Sequence, residues 1–142
     1  MKLFLAGPLF NAAEREFNHR LRDALAADGH DVWLPQEKEP RERGGAAIFK
    51  KDVEGIDWAE VVIANMDGPD PDSGTCWECG YAYARKKPVL AYRTDLRHAE
   101  DAALGRFNLM IEKSATKVLL LPGASVDQVA RKVLAALDKL EI

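Results

Sequence analysis

Cysteine is scarce: the 142-residue chain holds two, Cys76 and Cys79. Two cannot build the disulfide framework of a small secreted domain. Long apolar runs are lacking as well. None approaches the roughly 18 residues of a membrane span, and the apolar opening from Leu3 to Ala6 is cut by Gly7-Pro8 too early for a secretory leader. A cytoplasmic protein with no membrane partner is the expectation. Positive charge is not in excess either. Lys and Arg total 20 against 23 Asp and Glu, a net charge of −3. That argues against broad binding to a nucleic-acid polymer, which needs a basic face, and leaves room only for a local patch. Histidine is rare: His19, His30 and His98 are scattered and read as surface or packing residues. They form no His/Cys cluster able to hold a transition metal. Repeats, low-complexity tracts and domain linkers are absent.

What is present is the composition of a soluble globular domain, 47% apolar and 30% charged, at a length that fits one core. One domain over residues 1–142 is therefore expected. The pattern alternates strand and helix. Lys2 to Ala6 reads as a short buried strand. Asn11 to Ala27 reads as a helix through Phe17, Leu21, Ala24 and Leu25, with Gly29 placed to end it. Asp31 to Leu34 is a second strand stopped by Pro35. Gln36 to Gly45 is dense in charge, with Pro40 and Gly44-Gly45, and reads as a loop. Ala46 to Ala59 returns to helical spacing through Ile48, Phe49, Val53, Ile56 and Trp58. Glu60 to Met66 carries Val61-Val62-Ile63-Ala64, suited to a central parallel strand. A loop from Asp67 to Gly74, a helix from Thr75 to Lys86, strands at Pro88 to Arg93 and Lys117 to Leu121, and an amphipathic helix from Ser125 to Leu140 follow.

This alternation predicts a parallel sheet with helices on both faces. Such sheets bind ligands at the C-terminal ends of their strands, where strand order reverses. Three segments lie there: Gly7 to Phe10, Asp67 to Gly74, and Arg93 to Arg97. The second is the densest in reactive groups, with Asp67, Asp70 and Asp72 followed by Glu78. Its prolines and glycines hold the carboxylates in place. Glu78 falls in the first turn of the next helix, where the helix dipole favours the ionised form. An ionised carboxylate in a cleft can attack an electrophilic carbon. A structural reading stands beside this one. Thr75-Cys76-Trp77-Glu78 matches a capping box, in which Glu78 folds back onto the backbone N–H of Thr75. The aspartates also suit ordinary turns. Their spacing does not match an EF-hand calcium loop. Cys76-Trp77-Glu78-Cys79 is formally a redox C-x-x-C motif, without other support.

Several ordered segments together resemble the nucleoside 2-deoxyribosyltransferase family. They are Phe4-Leu5-Ala6-Gly7-Pro8-Leu9-Phe10, Phe49 to Ile56, Asp67 to Ala84, and Asn108-Leu109-Met110. The most specific is Asp72-Ser73-Gly74-Thr75-Cys76-Trp77-Glu78-Cys79-Gly80-Tyr81-Ala82. The resemblance implies a flavodoxin-like, three-layer fold with a five-stranded parallel sheet. It implies deoxynucleosides and free purine or pyrimidine bases as substrates, and transfer in two steps. Glu78 matches the nucleophile that takes the deoxyribose at C1′. Asp52 matches the group that exchanges a proton with the base, and Asp72 a residue that holds the sugar hydroxyls. Gly7, Pro8 and Phe10 would line the base pocket. Asn108 matches a residue that reaches the sugar from a neighbouring subunit, with Met110 beside it, which implies a homo-oligomer with shared sites. Many members carry Tyr where this chain has Phe4, and that hydroxyl orients the nucleophile; Tyr81 and Tyr83 are the available substitutes. One carboxylate and one proton donor suffice for the chemistry, so no metal or organic cofactor is expected.

Two rival functions share this fold. One is a 2′-deoxynucleoside 5′-monophosphate N-glycosidase, which uses the same Glu with water as acceptor. Asp72 in the sugar site argues against it, because a second negative charge near phosphate is repulsive. The other is a nucleotide-sensing module without catalysis, which fold alone does not exclude.

Overall fold

Residues 1–97 and 106–140 are described by the structure, a computed structural model. The short apolar runs of the sequence become five strands: β1 (Lys2–Ala6), β2 (Asp31–Trp33), β3 (Val61–Asn65), β4 (Val89–Arg93) and β5 (Lys117–Leu120). All pairs are parallel, in the order β2-β1-β3-β4-β5. This is the flavodoxin-like order, whose reversal point lies between β1 and β3. Every residue of β3 and β4 is buried, as strands covered on both sides must be.

Alternation along the strands sorts side chains onto two faces. Leu3, Leu5, Val61, Ile63, Leu90 and Tyr92 meet α1 (Ala12–Ala27) and α6 (Val126–Leu137) on one face. Phe4, Ala6, Val62, Ala64, Val89 and Ala91 turn to the other. There they meet α3 (Gly45–Trp58), α4 (Ser73–Ala84) and α5 (Leu109–Ser114). The fold is thus the expected three layers. Each fully buried Leu or Ile contributes about 1.5–3 kcal/mol through lost apolar exposure.

The second face is shaped for the site. Ala6 pairs with Ala64, and Ala64 with Ala91. This row of alanines crosses the C-terminal half of the sheet. Small side chains let α4 lie close, with Cys79 and Ala82 buried against the sheet. Gly55 does the same for α3. A Cβ there would come within 2.8 Å of Phe4 Cε2 and 2.5 Å of Trp33 Nε1.

Several boundaries differ from the sequence reading. The expected loop from Gln36 to Gly45 contains a short helix, α2 (Pro35–Lys38), and a 3-10 turn at Arg41–Arg43. Pro35 does not merely stop β2. It occupies the first helical position, where its missing N–H is no loss. Helix α4 begins at Ser73, two residues earlier than expected, because Asp72 caps it. Helix α5 was not anticipated at all; Asn108 caps it through the Met110 N–H at 3.1 Å. His98 and the stretch from Ala102 to Gly105 lie outside the described residues.

Candidate active site

The loop after β1 starts at Gly7. A Cβ there would stand 3.1 Å from the Asn65 Cβ, so any side chain would force loop and strand apart. Pro8 turns the chain and Asn11 caps α1, with Glu14 completing a capping box. Phe10 is left 76% exposed.

The loop after β3 is fixed by bonds to the loop after β4. Asp67 accepts from the Thr94 N–H and hydroxyl, both at 2.6 Å, and from the Asp95 N–H at 2.8 Å. Arg93, buried at the end of β4, donates to the carbonyls of Met66, Gly68 and Arg97. The sequence reading placed the segment Arg93 to Arg97 at the ligand-binding edge but gave neither Arg93 nor Thr94 a role. Asp72 Oδ2 accepts from the Thr75 N–H at 2.9 Å and its hydroxyl at 3.1 Å. The three loop aspartates therefore differ. Asp67 joins two loops, Asp72 caps α4, and Asp70 is exposed.

This cap corrects two expectations. Thr75 is not the start of the helix, so Glu78 does not close a capping box on it. Glu78 also lies a turn deeper in α4, beyond the free N–H groups that would have favoured its charge. Its carboxyl is instead pushed well above the usual carboxylate range. Burial is the main cause, followed by the charges of Asp52 and Asp72. Among the described residues no hydrogen bond or ion pair engages the Glu78 carboxylate. Asp52, half-buried on α3, is pushed up to about 6 by burial and then by Glu39. The Glu39 side chain is only 9% exposed and is held by Arg41 Nε at 2.6 Å. Charge thus links carboxylates from α3, from α4 and its cap, and from the C-cap of α2, with Glu78 uncommitted to any partner among the described residues.

Other expected residues fall around it unevenly. Phe4 is fully buried beneath Gly55, so it packs under the site and presents no open wall. Neither candidate replacement for the missing tyrosine hydroxyl reaches Glu78 by a hydrogen bond. Tyr81 Oη lies 3.2 Å from both carboxylate oxygens of Asp57, and Tyr83 is exposed. Asn108 lies on α5, which packs on α4. Its Oδ1 is occupied by its own cap, and Met110 beside it is 76% exposed. Burial raises Cys76 and pushes Cys79 up to about 12, which suppresses the reactive thiolate. Among the described residues no group of three or more His, Cys, Asp or Glu is arranged to hold a metal ion, and no helix is long and apolar enough to cross a membrane.

Glu39, Asn18 and Gln36 were missed by sequence reasoning. The usable signal was slight: a Glu-Pro step inside a charged loop, and two polar residues in otherwise packed positions.

Similarity to known proteins bears on the fold and the family. No curated protein sequence matches the chain significantly. Among solved structures, a 2-deoxyribosyltransferase from Bacillus psychrosaccharolyticus is 28% identical, with a TM-score of 0.75 and 96% of each chain covered. A conserved protein from Enterococcus faecalis is 24% identical, with a TM-score of 0.75, covering 96% of this chain and 98% of that one. A CMP N-glycosidase from Clostridium botulinum shares the fold at 19% identity and a TM-score of 0.60, covering 94% of this chain and 98% of that one. The nucleoside 2-deoxyribosyltransferase family model matches residues 3–130, and the chain belongs to that family.

Proposed function

We propose that the protein transfers 2-deoxyribose between nucleobases through a covalent deoxyribosyl-Glu78 ester, in sites shared between subunits of a homo-oligomer. The observation that carries this is the Glu78 carboxyl, without a partner among the described residues and set among Asp52 and Asp72 at the C-terminal mouth of the sheet. Burial makes its charge costly. Attack on C1′ removes that charge, because the carboxylate becomes a neutral ester. The C1′–N bond breaks as the C1′–O bond forms, and the departing base nitrogen takes a proton from Asp52. A second base then attacks C1′ from the face the first one left, the electron pair returns to Glu78, and Asp52 recovers the proton. Two inversions give net retention, as in retaining glycosidases. Water in place of the second base gives hydrolysis as a side reaction. No metal or organic cofactor takes part.

Nucleosides suit this site better than their 5′-monophosphates. Asp52, Asp72 and Glu78 face the substrate, and among the described residues no cation pairs with any of them. A phosphate dianion is repelled by such a cluster. The test incubates the protein with deoxyinosine and free adenine. Deoxyadenosine should form, and deoxyinosine monophosphate should be the poorer donor. Absence of any exchange sinks the transferase reading. Faster cleavage of the monophosphate, with no exchange, favours an N-glycosidase.

The reaction needs one carboxylate ionised and one protonated, so kcat/KM should follow a bell-shaped curve in pH. Its acid limb reports the first ionisation of the coupled carboxylates and should lie near the value of about 6 to which burial and Glu39 push Asp52. Glu39 adds to that elevation. Glu39→Gln removes a negative charge, lowers the Asp52 value, and should move the acid limb toward lower pH. An acid limb unmoved in Glu39→Gln would detach Glu39 from the proton-transfer group.

A further inference from the structure

The loop after β1 is held by side chains of α1. The Pro8 carbonyl accepts from Asn18 Nδ2 at 3.0 Å, and the Leu9 carbonyl from Arg15 Nη1 at 3.4 Å. The Phe10 N–H donates to Glu14 Oε2 at 2.8 Å. Phe10 is therefore an exposed aromatic on a loop whose backbone is tied down. Asn18 does more than its neighbours. A primary amide has two N–H donors, and Asn18 commits the second to Gln36 Oε1 at 3.0 Å. Gln36 Nε2 returns a bond to the Arg15 carbonyl at 3.0 Å. Asn18 and Gln36 are 7% and 8% exposed.

Gln36 belongs to α2, the four-residue helix whose C-cap is Glu39. Glu39 is the carboxylate that acts on Asp52. The buried amide of Asn18 thus ties the Phe10 loop to α2, at whose C-cap stands the Glu39 that raises Asp52. Stability alone does not call for this pair. Buried amides are costly unless every bond is made, and two leucines would fill similar volume without that demand. What the pair adds is a fixed spacing between the loop and α2, since hydrogen bonds set distance and direction where apolar contacts do not.

We propose that Asn18, acting with Gln36, is a positioning residue that sets the width of the base cleft and thereby the competition between base and water for the deoxyribosyl-enzyme. The proposal rests on the transfer reaction above. In the first half-reaction the base is tied to the sugar, so sugar contacts help to place it. In the second the incoming base is free, and the cleft alone orients it. Its nitrogen must form the bond to C1′, release the ester electrons to Glu78 and lose its proton to Asp52. Water attacks the same carbon and gives its proton to the same carboxylate, but it needs no cleft. A loosened cleft therefore penalises transfer more than hydrolysis.

The experiment compares wild type with Asn18→Leu, Gln36→Leu and the double variant. Four quantities are read: base release from a deoxynucleoside, the ratio of transfer to hydrolysis at fixed acceptor, the acceptor KM, and amide hydrogen exchange over residues 9–11 and 36–39. In Asn18→Leu the ratio should fall about tenfold, as expected for a slight misplacement of a reacting group. The acceptor KM should rise, base release should fall less, and both segments should exchange faster. The double variant should be no worse than Asn18→Leu, because the two residues act as one unit. If Asn18→Leu does not fold, Asn18→Asp keeps the size, removes both donors and should give the same pattern. A lower melting temperature with an unchanged ratio would make Asn18 a packing residue and overturn the proposal. If the wild type exchanges no base at all, the proposed function falls. Hydrogen exchange then decides the clamp separately: unchanged exchange in both segments overturns it, and faster exchange in both upholds it.

Discussion

Glu78→Gln should abolish base exchange and, at neutral pH, make the protein more stable. The loss of activity should be on the order of 10⁴-fold or more, as for removal of other covalent nucleophiles. Loss of a helix cap would cost only about 0.5–2 kcal/mol of stability and would spare the chemistry; in any case Asp72, not Glu78, takes part in the cap of α4. The gain in stability follows from linkage. The folded-state pKa of Glu78 lies well above the ordinary value of 4.5, raised by burial and by Asp52 and Asp72. A group shifted in that direction supports the fold fully below its unfolded pKa. That support is lost as pH rises through the folded value. Glutamine stays neutral throughout and avoids this loss. The melting temperature of the variant should therefore pull ahead of wild type as pH rises above about 4.5, and the gap should close again in acid. Asp52→Asn should behave alike over a lower range, between 3.8 and about 6. Thermal denaturation across pH, run beside an exchange assay, checks both halves. A folded Glu78→Gln protein with near-normal exchange would end the nucleophile reading. A variant less stable than wild type at pH 8 would show that the site does not strain against its own charge.

That expectation differs in kind from what the sequence suggests for the same residue, and the reason bears on how far such reading carries. The sheet was legible because its signals are local. Val61-Val62-Ile63-Ala64 can hardly be anything but a strand covered on both faces, and it is β3. Helices α1 and α6 showed their spacing, and the residues at which they were started, Asn11 and Ser125, are their N-caps. The segment proposed to carry the chemistry was picked out by motif order. What failed depended on competition or on distance. Asp72 and Thr75 are both good caps three residues apart; the tertiary bonds that fix the Asp67–Gly74 loop accompany a start at Asp72. Pro35 carries both a strand-stop and a helix-start signal, and only the buried placement of Pro35 and Gln36 decides between them. Helix α5 has six residues, too few for periodicity to declare itself. The state of Glu78 was misread because a helix dipole is a local effect, whereas burial and the Asp52 charge are tertiary ones, and here they win. Asn18, Gln36 and Glu39 were invisible for the same reason. Their partners lie across the fold, and a polar residue in a helix looks like any solvated one until its neighbours are known.

Mixing two inactive variants should restore activity, and this tests the proposal that the site is shared between subunits. Asn108 lies on α5 and spends its Oδ1 on the Met110 N–H. Its amide nitrogen makes no bond to Glu78 or Asp52. Leu109 and Met110 are exposed in the single chain, as are Phe49 of α3 and Trp77 of α4. Trp77 stands next to Glu78, and its ring packs edge-on against Phe49 at 5.2 Å. Exposed apolar side chains on α5 and on the helices that carry Asp52 and Glu78 are unfavourable in water. The opposite helices, α1 and α6, expose no large apolar residue of this kind. A second copy that covers the α3–α5 side would hide them, and would bring its own Asn108 toward the sugar held at Glu78. Closed two-fold assemblies are the commonest result of a self-complementary patch. Glu78→Ala and Asn108→Ala chains, each inactive alone, then form mixed dimers in which one of the two sites has both residues intact. With random mixing, about a quarter of all sites should be whole, so activity should recover to about 25% of wild type. Denaturing and refolding the mixture together ensures that subunits exchange. Recovery requires Asn108→Ala homodimers to be severely impaired while still assembling, which size-exclusion chromatography checks. No recovery from a mixture shown to contain mixed dimers would place Asn108 and Glu78 in the same chain's site. A wild type that is monomeric at full activity would remove the partner altogether.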